Sequence, residues 1–234
     1  MVEGVVFDLD GVLIDSEPVW EEVRRTLVEE RGGHWGPDTQ SRIMGMNTGE
    51  WARYLSEELG ARLEPPEVIA IVLGRMADRY RANLPLLPGA VEAVRRLAGL
   101  PLAVASSSPL QLVELVLELA DVASAFRVIV SSDEVPRGKP APDVYLLAAR
   151  RLGVEPASSA AVEDSSNGIR SAAAAGFRVI AVPRPSFPPA PDALEMASLV
   201  LGGLDELTPS RSSAFPPVRG SPRPASELGQ RDSF

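Results

Sequence analysis

Six short apolar runs punctuate the chain, and stretches of helical periodicity lie between them. The runs are GVVFD at the start, LPLAVAS near 102, FRVIVS near 128, SSAAVED near 161, FRVIAV near 179 and a weaker ASLVLG near 199. Short apolar runs with no polar face read as strands buried on both sides. Strands that alternate with helices imply a parallel sheet covered by helices on both faces. Helix end signals fall where this reading needs them: Pro88 opens PGAVEAVRRLAG and Gly99 closes it, while Gly176 closes SNGIRSAAAAG. The expected fold class is α/β, with a Rossmann-like parallel sheet as its core. In open sheets of this kind, ligands bind beyond the carboxyl ends of the strands.

One interval breaks the alternation. From Ser16 to about Leu84 the pattern is helical throughout. SEPVWEEVRRTLVEERGG starts with Ser16 as an N-cap and Pro18 in the first turn. NTGEWARYLSEELG starts with a capping box, Asn47 with Glu50, and stops at Gly60. PPEVIAIVLGRMADRYRANL supplies a third long helix. The expected organisation is an α/β core over residues 1–15 and 85–207 and a helical cap over 16–84. Residues 208–234 are rich in Pro, Ser and Arg without apolar periodicity and read as a disordered tail.

Composition narrows the function classes. The 234 residues carry a net charge of −9, which argues against nucleic acid or an anionic membrane as partner. There is no cysteine, which removes disulfides, thiolate catalysis and zinc–cysteine sites. No basic-then-apolar leader precedes VVFDLDG and no apolar run is long enough to span a bilayer, so a cytoplasmic protein, a monomer or weak dimer, is expected. His34 is the only histidine, and Lys139 is the only lysine among 23 basic residues. A chain that otherwise uses arginine keeps one compact ammonium group, a point charge that a guanidinium does not imitate.

The polar residues at the strand ends now acquire chemical meaning. They are Asp8 with Asp10, the serines 106–108, Lys139 soon after the third run, and EDSSNG at 163–168. Carboxylates at a buried strand end must be paired, hydrogen-bonded or bound to a cation. Acids of this kind suit Mg²⁺, a hard cation with oxygen ligands. A hydroxyl and an ammonium suit phosphate oxygens. The combination points to phosphoryl transfer.

FDLDG, VASSS, GKPAPD and VEDSSNG resemble, in order, the four signature motifs of the haloacid dehalogenase-like superfamily, and the helical insert resembles its cap. The resemblance spans roughly residues 2–207 and is nearest to the small-molecule phosphatases and β-phosphoglucomutases. It implies Asp8 as nucleophile, Asp10 as general acid and base, and Ser106 and Lys139 as holders of the transferring phosphoryl group. Ser107 belongs to the same phosphate-binding run. Asp8, the backbone carbonyl of Asp10, and Asp164 would hold Mg²⁺, with Glu163 binding directly or through water. Glu163 and Asp164 are adjacent, so both serve only if the chain turns there, and the SSNG that follows permits a turn. The cap would read the small phosphorylated substrate, a phosphosugar by default, through Trp20, Met46, Asn47 and Trp51, with GMNTGEW as its substrate loop.

Rival readings fit less well. A receiver domain is shorter and has no cap, a dehalogenase of the superfamily lacks the second Asp, and a phosphonatase needs a cap lysine. A non-catalytic phosphate-binding protein has nothing in the sequence to favour it. The mutase is the closest alternative. By position, its cap histidine falls at Trp20, its distal-phosphate arginine near Thr48, and its cap lysine near Arg75 or Met76. These departures favour the phosphatase.

Overall fold

In the computed structural model, residues 2–43 and 46–209 are described. The expected tail lies almost wholly outside them, as do Met44 and Gly45 beside the expected substrate loop. Every apolar run forms a strand: β1 (Val5–Phe7), β2 (Leu102–Ser106), β3 (Phe126–Ser131), β4 (Ala160–Glu163), β5 (Arg178–Ala181) and β6 (Leu199–Val200). All pairs are parallel, in the order β3-β2-β1-β4-β5-β6. The strand order reverses at β1 and β4, which makes the crevice at their carboxyl ends the place for a ligand.

Alternation along the strands divides the core. Val5 and Phe7 of β1 join one apolar cluster, with Val104, Val162 and Ile180. Val6 joins the other, with Ala103, Ala105, Ala161 and Ala181. The alanine-rich face lets α7 (Asp143–Leu152) and α8 (Ser166–Ala174) pack close to the sheet. On the opposite face lie α5 (Ala90–Leu97) and α6 (Leu110–Leu119). Val5, Val6 and Phe7 are all fully buried, and each such side chain contributes about 1.5–3 kcal/mol of burial. The strand that ends at Asp8 is therefore firmly anchored. The short α9 (Pro191–Leu194) precedes the edge strand β6.

Between β1 and α5 the chain builds α1 (Glu17–Glu30), α2 (Thr39–Ile43), α3 (Thr48–Arg53) and α4 (Pro65–Ala82). It leaves and re-enters the sheet through paired segments: Ile14 bridges Leu86, the Asp15 amide donates to Pro85, and the Leu87 amide donates to Leu13. The interval is less regular than three long helices. α3 gives way to a π-helical turn at Tyr54–Glu58 before Gly60, and α2 had no signal in the sequence reading. The Asn47–Glu50 capping box is present. Ser16 occupies the N-cap position of α1 but its side chain caps nothing. Its hydroxyl instead donates to Asp10 Oδ1 at 2.5 Å.

Candidate active site

The ends of β1 and β4 bring three carboxylates together. Asp8 directly follows β1, and its amide continues the ladder by donating to Val162. Glu163 ends β4 and Asp164 opens the turn into α8, where Ser165 Oγ accepts from the Gly168 amide. Oxygens of Asp8, Glu163 and Asp164 lie within 4.8 Å of one another, and all three residues are buried. The turn that the small residues permit thus brings both acids of the pair to one point. Two glycines make room. A Cβ on Gly11, whose φ is +79°, would lie 1.9 Å from Asp164 Oδ2, and one on Gly168 would lie 1.9 Å from Glu163 Oε1.

Lys139 faces this cluster. Its Nζ lies 2.6 Å from Glu163 Oε1 and 2.9 Å from Asp8 Oδ1, with the Tyr145 ring centroid 5.1 Å away. Tyr145 donates its hydroxyl to the same Glu163 oxygen at 2.7 Å. The other Glu163 oxygen accepts from the Asp164 and Ser165 amides. Glu163 is thus richly hydrogen-bonded. By contrast, Asp8 Oδ1 has the Lys139 ammonium at 2.9 Å as its neighbour, and Asp164 Oδ1 is buried with no donor.

The electrostatics follow from three buried acids facing one ammonium. Burial, reinforced by Glu163, pushes the Asp8 carboxyl up to about 8 even though Lys139 opposes the shift. Burial and then Glu163 and Asp8 likewise raise Asp164 well above the usual carboxylate range. Burial alone would lower Lys139, but Asp8 and Glu163 outweigh it and its pKa rises. Three buried acids within 4.8 Å of one another, one ammonium among them and an Asp164 oxygen with no donor make a cluster with excess negative charge, which is a donor set for a hard divalent cation. Asp164 Oδ1 is the oxygen without a donor.

The remaining sequence-predicted residues fall into two groups. Asp10 lines the same cleft. It accepts hydrogen bonds from Ser16, from Ser106 Oγ at 3.1 Å and from Ser108 Oγ at 2.7 Å. Ser106 is fully buried, accepts the Ser108 amide, and is directed at Asp10. Ser107 lines the cleft of about 330 Å³ together with Asp8, Asp10 and Lys139.

The cap residues separate. Trp20, Met46 and Trp51 line a side cavity of about 70 Å³ that also touches Asp10 and Ser107. Asn47 is not among the residues lining either space, and its Oδ1 accepts from the Glu50 amide as the cap of α3. Arg75, the only cap cation that the comparison with the mutase offered, pairs with Glu30 at 2.6 Å on a half-exposed surface.

Ser108, named in the sequence only within its serine run, and three residues that the sequence reading did not assign to the site, Arg184, Glu17 and Arg24, lie at the site. Ser108 holds Asp10. Arg184, from the loop after β5, lines the cleft and pairs with Asp15 at 2.5 Å. Glu17 lines both the cleft and the side cavity, and Arg24 lines the side cavity. Arg24 had a legible signal: it falls on the buried stripe of α1 with Trp20, Val23, Leu27 and Val28. An arginine on an apolar stripe needs an explanation.

The sequence pattern of one family, described as haloacid dehalogenase-like hydrolase, matches residues 2–176. Hexitol phosphatase B of Escherichia coli (strain K12) is 36% identical over 212 residues, covering 88% of this chain and 94% of that protein. A probable pseudouridine-5'-phosphatase of Drosophila melanogaster is 33% identical, covering 90% of this chain and 93% of its own. Among solved structures, CbbY from Rhodobacter sphaeroides in complex with phosphate superposes with a TM-score of 0.78 at 29% identity, covering 88% of this chain and 96% of that one. Among the described residues, no helix is long and apolar enough to cross a membrane.

Proposed function

Because this chain belongs to the haloacid dehalogenase-like hydrolases, we propose that it is a Mg²⁺-dependent phosphatase of small phosphate monoesters, with a phosphosugar as substrate. The observation that carries the reading is Lys139 wedged between Asp8 and Glu163, in a buried cluster of three acids in which an Asp164 oxygen has no donor. Asp8 and Asp164 would hold the Mg²⁺ directly together with the Asp10 carbonyl. Glu163, whose oxygens are already taken by Lys139, Tyr145 and two amides, would act through water. When bound, Mg²⁺ neutralises excess carboxylate charge and draws negative charge from the phosphoryl oxygens.

In this reading Asp8 attacks phosphorus, the bond to the leaving oxygen breaks, and Asp10 delivers a proton to that oxygen. Asp10 then takes a proton from water as that water attacks the aspartyl-phosphate. The Asp8–phosphorus bond breaks and inorganic phosphate leaves. Lys139 offsets the repulsion between the Asp8 carboxylate and the phosphoryl dianion. The three serine hydroxyls around Asp10 fix the acid–base group beside the leaving oxygen. Residues 16–84 serve as the cap over this edge, and residues 1–15 with 85–207 as the core.

The test is phosphate release from p-nitrophenyl phosphate and a panel of sugar phosphates, with EDTA and then with added Mg²⁺. Chelation should abolish release and Mg²⁺ should restore it. Full activity in excess EDTA overturns the metal assignment, and no release from any ester with Mg²⁺ overturns the phosphatase reading.

A further inference from the structure

The side cavity holds a group for which the hydrolytic steps have no use. Arg24 is only 7% exposed, and its guanidinium carbon lies 4.3 Å from the ring centroid of Trp20 and 4.9 Å from that of Trp51. The two indoles stand 6.1 Å apart and tilted, with the guanidinium near both. Its Nε is buried with no hydrogen-bond partner. Burial pulls the Arg24 pKa down to about 10, against the opposing pull of Glu17 and Asp10. A buried cation with an unmet donor is costly unless something arrives to meet it.

Glu17 shares that cavity and also borders the main cleft. Gln40 Nε2 donates to Glu17 Oε2 at 2.6 Å, while the indoles hold Arg24. A guanidinium and a carboxylate are thus presented to one small space, each steadied by other neighbours. The group that satisfies both is one that accepts from the first and donates to the second: a hydroxyl. A second anion fits poorly, since Glu17 and Asp10 both line the cavity and would repel it. Size agrees. At about 70 Å³ the cavity is far smaller than the main cleft of about 330 Å³, and it suits a small polar group rather than a whole sugar.

We propose that Arg24 and Glu17 form a leaving-group subsite that reads a neutral hydroxyl of the phosphate ester and rejects esters carrying a second anionic group. The proposal rests on the phosphatase reading and deepens it. Asp10 and Ser107 line both spaces, so a substrate whose phosphoryl group meets Asp8 extends past Asp10 into the subsite. Sites that hydrogen-bond a substrate hydroxyl reject the analogue without it strongly, because their own buried polar groups are left unmet.

The test compares kcat/KM of the Mg²⁺-loaded enzyme on sorbitol 6-phosphate, hexyl phosphate and sorbitol 1,6-bisphosphate. Hexyl phosphate keeps the carbon chain and removes every hydroxyl. The native enzyme should prefer sorbitol 6-phosphate over hexyl phosphate at least a hundredfold, and over the bisphosphate at least tenfold. Arg24→Lys should cut the hydroxyl preference at least tenfold. Glu17→Gln should do the same and should also raise relative activity on the bisphosphate, a change that mere loosening of the cap would not produce. If Arg24→Lys does not fold, the native series and Glu17→Gln still decide. Similar rates on sorbitol 6-phosphate and hexyl phosphate, or preferences unmoved in Glu17→Gln, overturn the subsite while leaving the phosphatase reading in place. No release from any of the three or from p-nitrophenyl phosphate overturns both.

Discussion

Lys139 is where scarcity in the sequence and geometry in the structure meet. Its Nζ stands 2.9 Å from Asp8 and 2.6 Å from Glu163, in a space closed by the Tyr145 ring. A planar guanidinium keeps the charge but needs more room and a fork of acceptors. Lys139→Arg should therefore lose at least a hundredfold in kcat, nearly as much as Lys139→Ala; an arginine variant within tenfold of the parent would refute the point-charge role. Gly11 makes a second case, since alanine there must adopt a φ of +79° and displace the Asp164 carboxylate. Gly11→Ala should raise the Mg²⁺ concentration for half-maximal activity at least tenfold, read from a metal titration. These residues were legible because their chemistry sits at strand ends, in ordered motifs. Arg24 showed only as an arginine on the buried stripe of α1, and Glu17 not at all, since their placement depends on what α1 meets around one cavity.

Among the elements, what was legible is set by how much of the signal is local. The inner strands were readable because burial on both faces leaves continuous apolar runs, and the edge strand β6, with Val200 exposed, gave the weakest run. The helices over residues 16–84 were harder, because short segments such as α2 owe their shape to packing rather than to their own periodicity. Caps show the contrast sharply. Asn47 and Ser16 are equally good N-cap residues on paper, yet only Asn47 bonds to its helix. Asn47→Ala should cost about 1 kcal/mol of stability in urea unfolding, and Asn47→Asp should retain it. Ser16→Ala removes no cap but takes one of three hydroxyls from Asp10. Its effect should appear in kcat, roughly a tenfold loss, a small part of the 10²–10⁴ that a positioned acid–base group contributes. An unchanged kcat in Ser16→Ala, or an unchanged urea midpoint in Asn47→Ala, would count against these placements.

Across the whole molecule, the division of charge decides between hydrolysis and internal transfer. A mutase must hold an intermediate phosphorylated at both ends, keep water away from the aspartyl-phosphate, and return the phosphoryl group to a second hydroxyl. That requires cations over the far end of the substrate. Here Arg75 pairs with Glu30 outside the site, and the Thr48 hydroxyl donates to Asp133 across from the cap segment to the loop after β3. Arg24 is the cation that does face the cavity, and Glu17 shares its space, which suits a hydroxyl better than a second phosphate. The net charge of −9 adds no compensating field for a doubly phosphorylated ligand. The fold is shared by enzymes of both outcomes, so the distinction lives in these few groups. Water should reach the phosphorylated Asp8, and inorganic phosphate should be the main product. Phosphorus NMR on β-glucose 1-phosphate, with Mg²⁺ and catalytic glucose 1,6-bisphosphate, separates the two outcomes. Accumulating inorganic phosphate supports the hydrolase, whereas rapid conversion to glucose 6-phosphate with negligible free phosphate would show that the cap holds two phosphates after all.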